Sequence, residues 1–241
     1  MGIVAPMEGR MAGGEVPRRD FLKTAGLGTA AALAGGVSSA TAANSAPPDV
    51  QVWLTLTPSE APFIMAAVDT LIPADELTPS GVDCGLATFI DRQLAGAYGN
   101  GARLYRQGPF LPAKPELGYQ LALTPREFFR AGIAAANEWT KKTYGKEFDR
   151  LTAAQREEAL TAMETGKAEL NAGFTSAFFF DNLLQLTMEG FFADPMYGGN
   201  KDKVAWKMIG FPGLPASYRD EIKTYFNKRY DKGPQSIADF S

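Results

Sequence analysis

Histidine is missing from all 241 residues. Its absence removes the usual general base near neutral pH, the commonest transition-metal ligand and the axial ligand of most haems. A single cysteine, Cys84, is too little for an iron–sulfur cluster, a Cys-x-x-Cys-His haem attachment or an internal disulfide. No Gly-x-Gly-x-x-Gly follows a strand-like run and no Walker loop is present, which excludes the common nucleotide cradles. Neither sign of charge dominates: 24 basic and 27 acidic residues are mixed along the chain and leave no basic stripe for nucleic acid. If the chain takes part in redox chemistry, something else carries the electrons.

Long apolar runs are scarce as well. The longest weakly apolar stretch, Thr24 to Val37, falls short of the roughly 20 residues a helix needs to span a bilayer. It follows Arg18-Arg19-Asp20-Phe21-Leu22-Lys23 and ends in small residues, Ala40-Thr41-Ala42. Paired arginines, a short apolar segment and a small-residue end are the layout of a twin-arginine export signal, with a chance Arg-Arg before an Ala-rich helix as the other reading. The expectation is removal near Ala42, with Arg18, Arg19, Phe21, Leu22 and Lys23 read by the export machinery. Cleavage there would take away four basic and three acidic residues and leave 20 and 24, a net charge of −4. The domain so described is mildly acidic and exported.

What is abundant is helix signal. After a linker over 43–56, Thr57-Pro58-Ser59-Glu60 forms a capping box that opens a helix running to Leu71. A turn at Pro79-Ser80-Gly81 leads to a second helix, Val82 to Ala95. It would place Cys84 in its first turn, where amide dipoles favour a thiolate. That thiol is either a candidate for an interchain disulfide in an oxidising compartment or a buried, inert side chain. Tyr98 to Leu123 is rich in Gly, Pro and Tyr and reads as a long loop, functional or pinned against a partner. Its tyrosines, Tyr98 and Tyr105 among them, suit either packing or sugar stacking. Thr124-Pro125-Arg126-Glu127 and Thr152-Ala153-Ala154-Gln155 repeat the capping arrangement, with stops at Gly145 and Gly166.

The richest stretch runs from Phe174 to Gly213. At about 100° per residue, Phe179, Phe180, Leu183, Leu184, Leu186, Gly190 and Phe191 share one arc of a helix, and Asp181, Asn182, Gln185 and Glu189 share the other. Phe178 and Phe192 project from the polar arc. The helix therefore meets apolar surface on both faces, supplied by its own chain or by another polypeptide. A short helix around Lys203 to Ile209, a helix from about Ser217 to Lys228 and an extended tail over 231–241 complete the chain. No sustained alternation marks a strand, so the class is all-α: an irregular single-domain helical bundle over 57–230 with long Gly/Pro-rich loops.

Several stretches carry a family resemblance. They are Thr70-Leu71-Ile72-Pro73-Ala74-Asp75, Phe89-Ile90-Asp91-Arg92-Gln93-Leu94, Gln107-Gly108-Pro109-Phe110, Glu189-Gly190-Phe191-Phe192-Ala193-Asp194-Pro195, Tyr197-Gly198-Gly199-Asn200 and Gly210-Phe211-Pro212-Gly213. In this order they resemble the gluconate 2-dehydrogenase subunit 3 family, the small or gamma subunits of bacterial flavin-dependent sugar and polyol dehydrogenases. The resemblance spans about residues 55 to 237 and is looser after Pro212.

It implies a chain with no cofactor or catalytic residue of its own. It implies two partners, a large FAD-containing subunit of the glucose–methanol–choline type and commonly a multihaem cytochrome c, to which the paired arginines Arg18 and Arg19 add the twin-arginine translocase. The small subunit would support folding, activity and export of the flavoprotein into the periplasm, with membrane association through a partner. Tyr98, Tyr105, Phe178, Phe192, Trp206 and Phe211 are the candidate contact residues. The competing expectation is a free-standing exported carbohydrate hydrolase with Glu189 and Asp194 as its carboxylate pair, since such an enzyme needs no histidine.

Overall fold

Seven α-helices and several short 3-10 turns make up the computed structural model, which describes residues 51–111, 114, 118–214 and 217–240. The export-signal residues Arg18, Arg19, Phe21, Leu22 and Lys23 lie outside the described residues. The helices are α1 (Glu60–Leu71), α2 (Leu86–Ala95), α3 (Pro125–Tyr144), α4 (Ala153–Glu164), α5 (Ser176–Phe192), α6 (Val204–Ile209) and α7 (Arg219–Thr224). No strand occurs among the described residues, and one isolated bridge joins Gly213 to Gln235. The class is all-α.

The helix starts follow from local chemistry. Thr124 accepts from the Glu127 amide while Glu127 accepts from the Thr124 amide at 2.7 Å, and Pro125 occupies the first turn, where no amide is needed. Thr152 and Gln155 repeat this reciprocal pair for α4. Thr57 and Glu60 make the same exchange before α1, and Thr175 caps α5 by accepting from the Phe178 amide. α3 stops where Gly145 turns left-handed.

α1 lies at the centre, touching α2, α3, α4 and α5. The core is aromatic. Phe63 of α1 meets Phe148 at 4.8 Å between ring centroids and Phe179 of α5 at 6.2 Å. Phe128 of α3 gathers Phe129, Phe174, Phe178 and Phe179 within 6.0 Å. Tilted and edge-on ring pairs of this kind add about 0.5–1.5 kcal/mol each beyond the area they bury. Phe179 fits because α3 presents Gly132 there; a Cβ would occupy the space of the ring.

Three expectations need correction. The second helix begins at Leu86, four residues later than Val82, because Gly81 and Gly85 hold the preceding segment in turns; Gly85 has φ +82°. Cys84 thus sits in that turn and not in a helical first turn. The last helix is short, ending at Thr224, and Asn227 at φ +58° stops any continuation toward Lys228. The tail is not merely extended. Its Gln235 exchanges backbone hydrogen bonds with Pro212 and Leu214, and Ile237–Phe240 form a 3-10 turn.

The long loop is pinned at its start. Arg126 donates to the carbonyls of Leu94 and Ala95 and to the Asn100 side chain, so the first residues of α3 hold the end of α2 and the turn after it. Farther along, the Tyr119 hydroxyl donates to the Leu123 carbonyl at 2.8 Å, and burial raises its pKa.

Candidate partner interface

Three of the motifs that carried the resemblance, those at 89–94, 189–195 and 197–200, meet at the carboxyl end of α5. Three elements meet there: α2, the last turns of α5 and the Pro195–Asn200 turn. Their approach is closer than side chains allow. A Cβ on Gly190 would lie 2.7 Å from the Phe89 ring, and one on Gly199 would lie 2.9 Å from the Gly190 carbonyl carbon. A Cβ on Gly85 would enter the Gly198 carbonyl. The Lys201 amide closes the contact by donating to the Cys84 carbonyl at 3.1 Å. These glycines are spacers that let three backbones touch.

Polar side chains then fix the turn. Asn200 is buried at φ +45°; it donates to the Ala193 carbonyl and accepts from the Ala205 amide, both at 2.9 Å. Asp194 accepts from the Met196 amide at 3.0 Å and from the Ile237 amide at 2.8 Å, tying the turn to the tail. Arg92 of α2 donates to the Met196 carbonyl at 3.4 Å. Its neighbour Asp91, only 2% exposed, accepts from the amides of Leu54, Thr55 and Leu56 at 2.6, 2.9 and 2.9 Å. One carboxylate thereby straps the segment before α1 onto α2.

Asp75 plays a similar local part, accepting from the Leu77 and Thr78 amides, which lower its pKa. In the last motif, Gly213 has φ +70° and lies against the Gln235 carbonyl, where no Cβ fits. Read together, the motifs hold backbones in place.

That frame presents an apolar surface. Phe192 is 37% exposed at the end of α5, and Met196, Tyr197, Met208, Ile209 and Phe211 are exposed in the following turn and on and after α6. Trp206 links them from beneath: its indole donates to the Phe192 carbonyl at 2.9 Å and its ring meets Phe211 edge-on at 5.3 Å. Being only 6% exposed, Trp206 supports this surface and offers little to a partner, which corrects its place among the contact residues.

Of the other candidates, Phe178 is half-buried, packed on Phe128 at 5.5 Å and Tyr119 at 6.0 Å. The apolar group opposite it is therefore its own chain. It borders a cleft of about 570 Å³ between the long loop and the start of α5, lined also by Phe110, Leu121 and Phe174. Tyr98 is exposed beside α5, its hydroxyl pKa raised by burial and by the Glu189 charge. Tyr105, 79% exposed, stands in the long loop. The methionines at 188, 196 and 208 escaped sequence reasoning; the available signal was Met188 standing next to the polar arc that also carries Phe192.

Cys84 is fully buried, its thiol donating to the Pro79 carbonyl at 3.5 Å. Burial, and then the charges of Asp83 and Asp69, push its pKa up. This is an inert core cysteine, and an interchain disulfide through it is incompatible with the folded chain. The carboxylates of the hydrolase reading are both engaged within the chain. Glu189 accepts from the Gln185 side chain at 2.9 Å, and both Asp194 oxygens are engaged by backbone amides. Among the described residues no group of three His, Cys, Asp or Glu side chains could hold a metal ion, and no helix is long and apolar enough to cross a membrane.

No curated protein and no solved structure matches the chain. A family model does: the one described as Gluconate 2-dehydrogenase subunit 3 matches residues 58–213. That span runs from the first capping turn to Gly213 and covers well over half of the 241 residues. The chain belongs to the gluconate 2-dehydrogenase subunit 3 family.

Proposed function

We propose that this chain is the non-catalytic small subunit of a periplasmic, FAD-dependent sugar or sugar-acid dehydrogenase complex. It supports folding and activity of the large flavoprotein subunit and supplies the twin-arginine signal for its export. FAD resides in that subunit and haem c in a cytochrome subunit, through which the complex meets the membrane. The observation that carries the reading is the use to which the motifs are put. Asp75, Asp91, Asp194 and Asn200 hold backbone amides, and Gly85, Gly190 and Gly199 allow close contact. The residues of these motifs build a frame and leave an apolar face at the end of α5. A face of this kind stabilises whatever it covers by removing apolar surface from water and by binding only the folded partner.

The test is co-expression of the full chain with its flavoprotein, comparing wild type with Phe192→Ser, Ile209→Ser and Phe211→Ser combined. The expected result is loss of co-purification, with a thermal midpoint of the small subunit close to that of the wild type. Undiminished co-purification refutes this face as the contact. For export, Arg18→Lys with Arg19→Lys is expected to leave the flavoprotein in the cytoplasm, and its continued arrival in the periplasm ends the escort role.

A further inference from the structure

The chain continues past the family match with a segment of different character. From Arg219 to Lys232 it carries five basic and three acidic residues, in a protein whose net charge is −3. α7 and the turn after it divide this segment into two faces. Inward, Glu221 and Tyr225 lie one helical turn apart. Tyr225 meets Tyr230 at 4.9 Å, Tyr230 meets Tyr218 at 6.3 Å, and the Tyr218 hydroxyl donates to the Gly213 carbonyl. Lys232 lies over the rings of Tyr225 and Tyr230 at 5.7 and 5.9 Å and pairs with Glu221 at 3.6 Å. The inner face is thus a braced aromatic platform.

Outward, Ile222 and Phe226 are also one turn apart, 68% and 73% exposed, with Ile222 and Lys228 at the rim of a shallow cleft that Tyr218, Tyr225 and Tyr230 line from the inner side. Around them Lys223, Lys228 and Arg229 are exposed and make no ion pair among the described residues.

We infer that this outer face is a peripheral binding site for an anionic bilayer surface, with Ile222 and Phe226 entering the interface and Lys223, Lys228 and Arg229 facing lipid phosphates. Charge complementarity selects this occupant. Protein interfaces exclude lysine from their centres and surround their anchors with contiguous apolar area. Here two exposed apolar side chains stand in a segment whose exposed cations Lys223, Lys228 and Arg229 make no ion pair among the described residues and outnumber its exposed acids, Asp220 and Asp231; long basic side chains of this kind reach the headgroup layer while an apolar side chain enters beneath it. Anionic lipid attracts each such cation, and salt screens the attraction. The inference goes beyond the subunit assignment and does not depend on it, because the segment lies outside residues 58–213.

The test is co-sedimentation of the full chain with vesicles of phosphatidylcholine and phosphatidylglycerol in equal parts, without any partner subunit. Binding is expected at low salt, with at least about a tenfold loss in pure phosphatidylcholine or in high salt. The exposed substitutions Lys223→Glu, Lys228→Glu and Arg229→Glu together are expected to abolish binding, and Ile222→Ser with Phe226→Ser to weaken it about tenfold with helical content unchanged. Binding that survives both sets belongs to the amino-terminal apolar run and overturns the inference. So does absence of vesicle binding, and loss of flavoprotein co-purification in the same variants would then assign the patch to a protein partner.

Discussion

Gly199→Ala adds one methyl group at a place where the fold has no room for it. Gly199 does not occupy the left-handed region, so alanine meets no backbone penalty there, and the whole effect comes from contact. Its Cβ would overlap the Gly190 carbonyl oxygen and lie 2.9 and 3.1 Å from the carbonyl carbon and Cα of the same residue. All three atoms belong to the backbone of α5, which cannot swing aside as a side chain would. Gly145→Ala is the control, because a Cβ there meets nothing within 4 Å and pays only for φ +75°.

Overpacking against fixed atoms costs about 1–3 kcal/mol or more, and the upper end applies where no rotamer can yield. The control costs about 1 kcal/mol, the usual penalty for a left-handed alanine. For a domain of this size 1 kcal/mol moves the thermal midpoint by about 2–4 °C, so the expected shift is about 6–12 °C for Gly199→Ala and about 2–4 °C for Gly145→Ala. Thermal unfolding followed by circular dichroism measures both. Equal shifts, or a smaller one for Gly199→Ala, would refute the claim that close backbone approach holds the turn against α5. Since the Pro195–Asn200 turn leads into the apolar face, the same variant should also bind the proposed large subunit more weakly.

Three further outcomes follow from named contacts. Asp91→Ala removes the acceptor of three amides and should cost about 3 kcal/mol. Hydrogen exchange at Leu54, Thr55 and Leu56 should rise with it, and unchanged protection there would sink the strap. Cys84 should resist thiol reagents in the native chain and react on unfolding in urea; prompt labelling of the folded protein contradicts its burial. Asp239 has its pKa held at about 2 by the Lys203 ammonium and the Ser236 amide and hydroxyl. A depressed carboxylate pKa means the contact is fully present above about pH 4 and is lost as pH falls through about 2. Carboxyl NMR titration should give that low midpoint, and Asp239→Asn should remove the pH dependence of tail protection; an ordinary midpoint near 3.8 contradicts the clamp.

Helix starts were legible because capping boxes are local: Thr124 with Glu127 and Thr152 with Gln155 need only four residues to act. The buried arc of α5 was legible for a similar reason, its period being imposed by one helix. The start of α2 was not, since a lone glycine such as Gly85 can be carried inside a helix and does not by itself show which side of it the helix begins. What stops the helix is Gly81 lying against the Val68 carbonyl of α1 and Gly85 against Gly198, both contacts between parts distant in sequence. Trp206 was misjudged by the same logic. An isolated tryptophan between lysines looks available for binding, and only the Phe192 carbonyl, 14 residues away in sequence, reveals that it is buried.

The site poses a subtler problem. Catalytic residues betray themselves by chemistry that folding does not require, whereas a surface built to be covered differs from a core only in lacking its cover. Phe178 and Phe192 stand on the same side of α5 and were indistinguishable by period, yet Tyr119 and Phe128 cover the first and no described side chain fully covers the second. Period shows that a helix is apolar on two sides; only the fold shows which side its own chain covers. At the end of α5 the uncovered side coincides with the place where Gly85, Gly190 and Gly199 bring three backbones together. A rigid frame beneath exposed apolar side chains loses little conformational freedom when a partner covers them, which suits a chain that associates with other subunits.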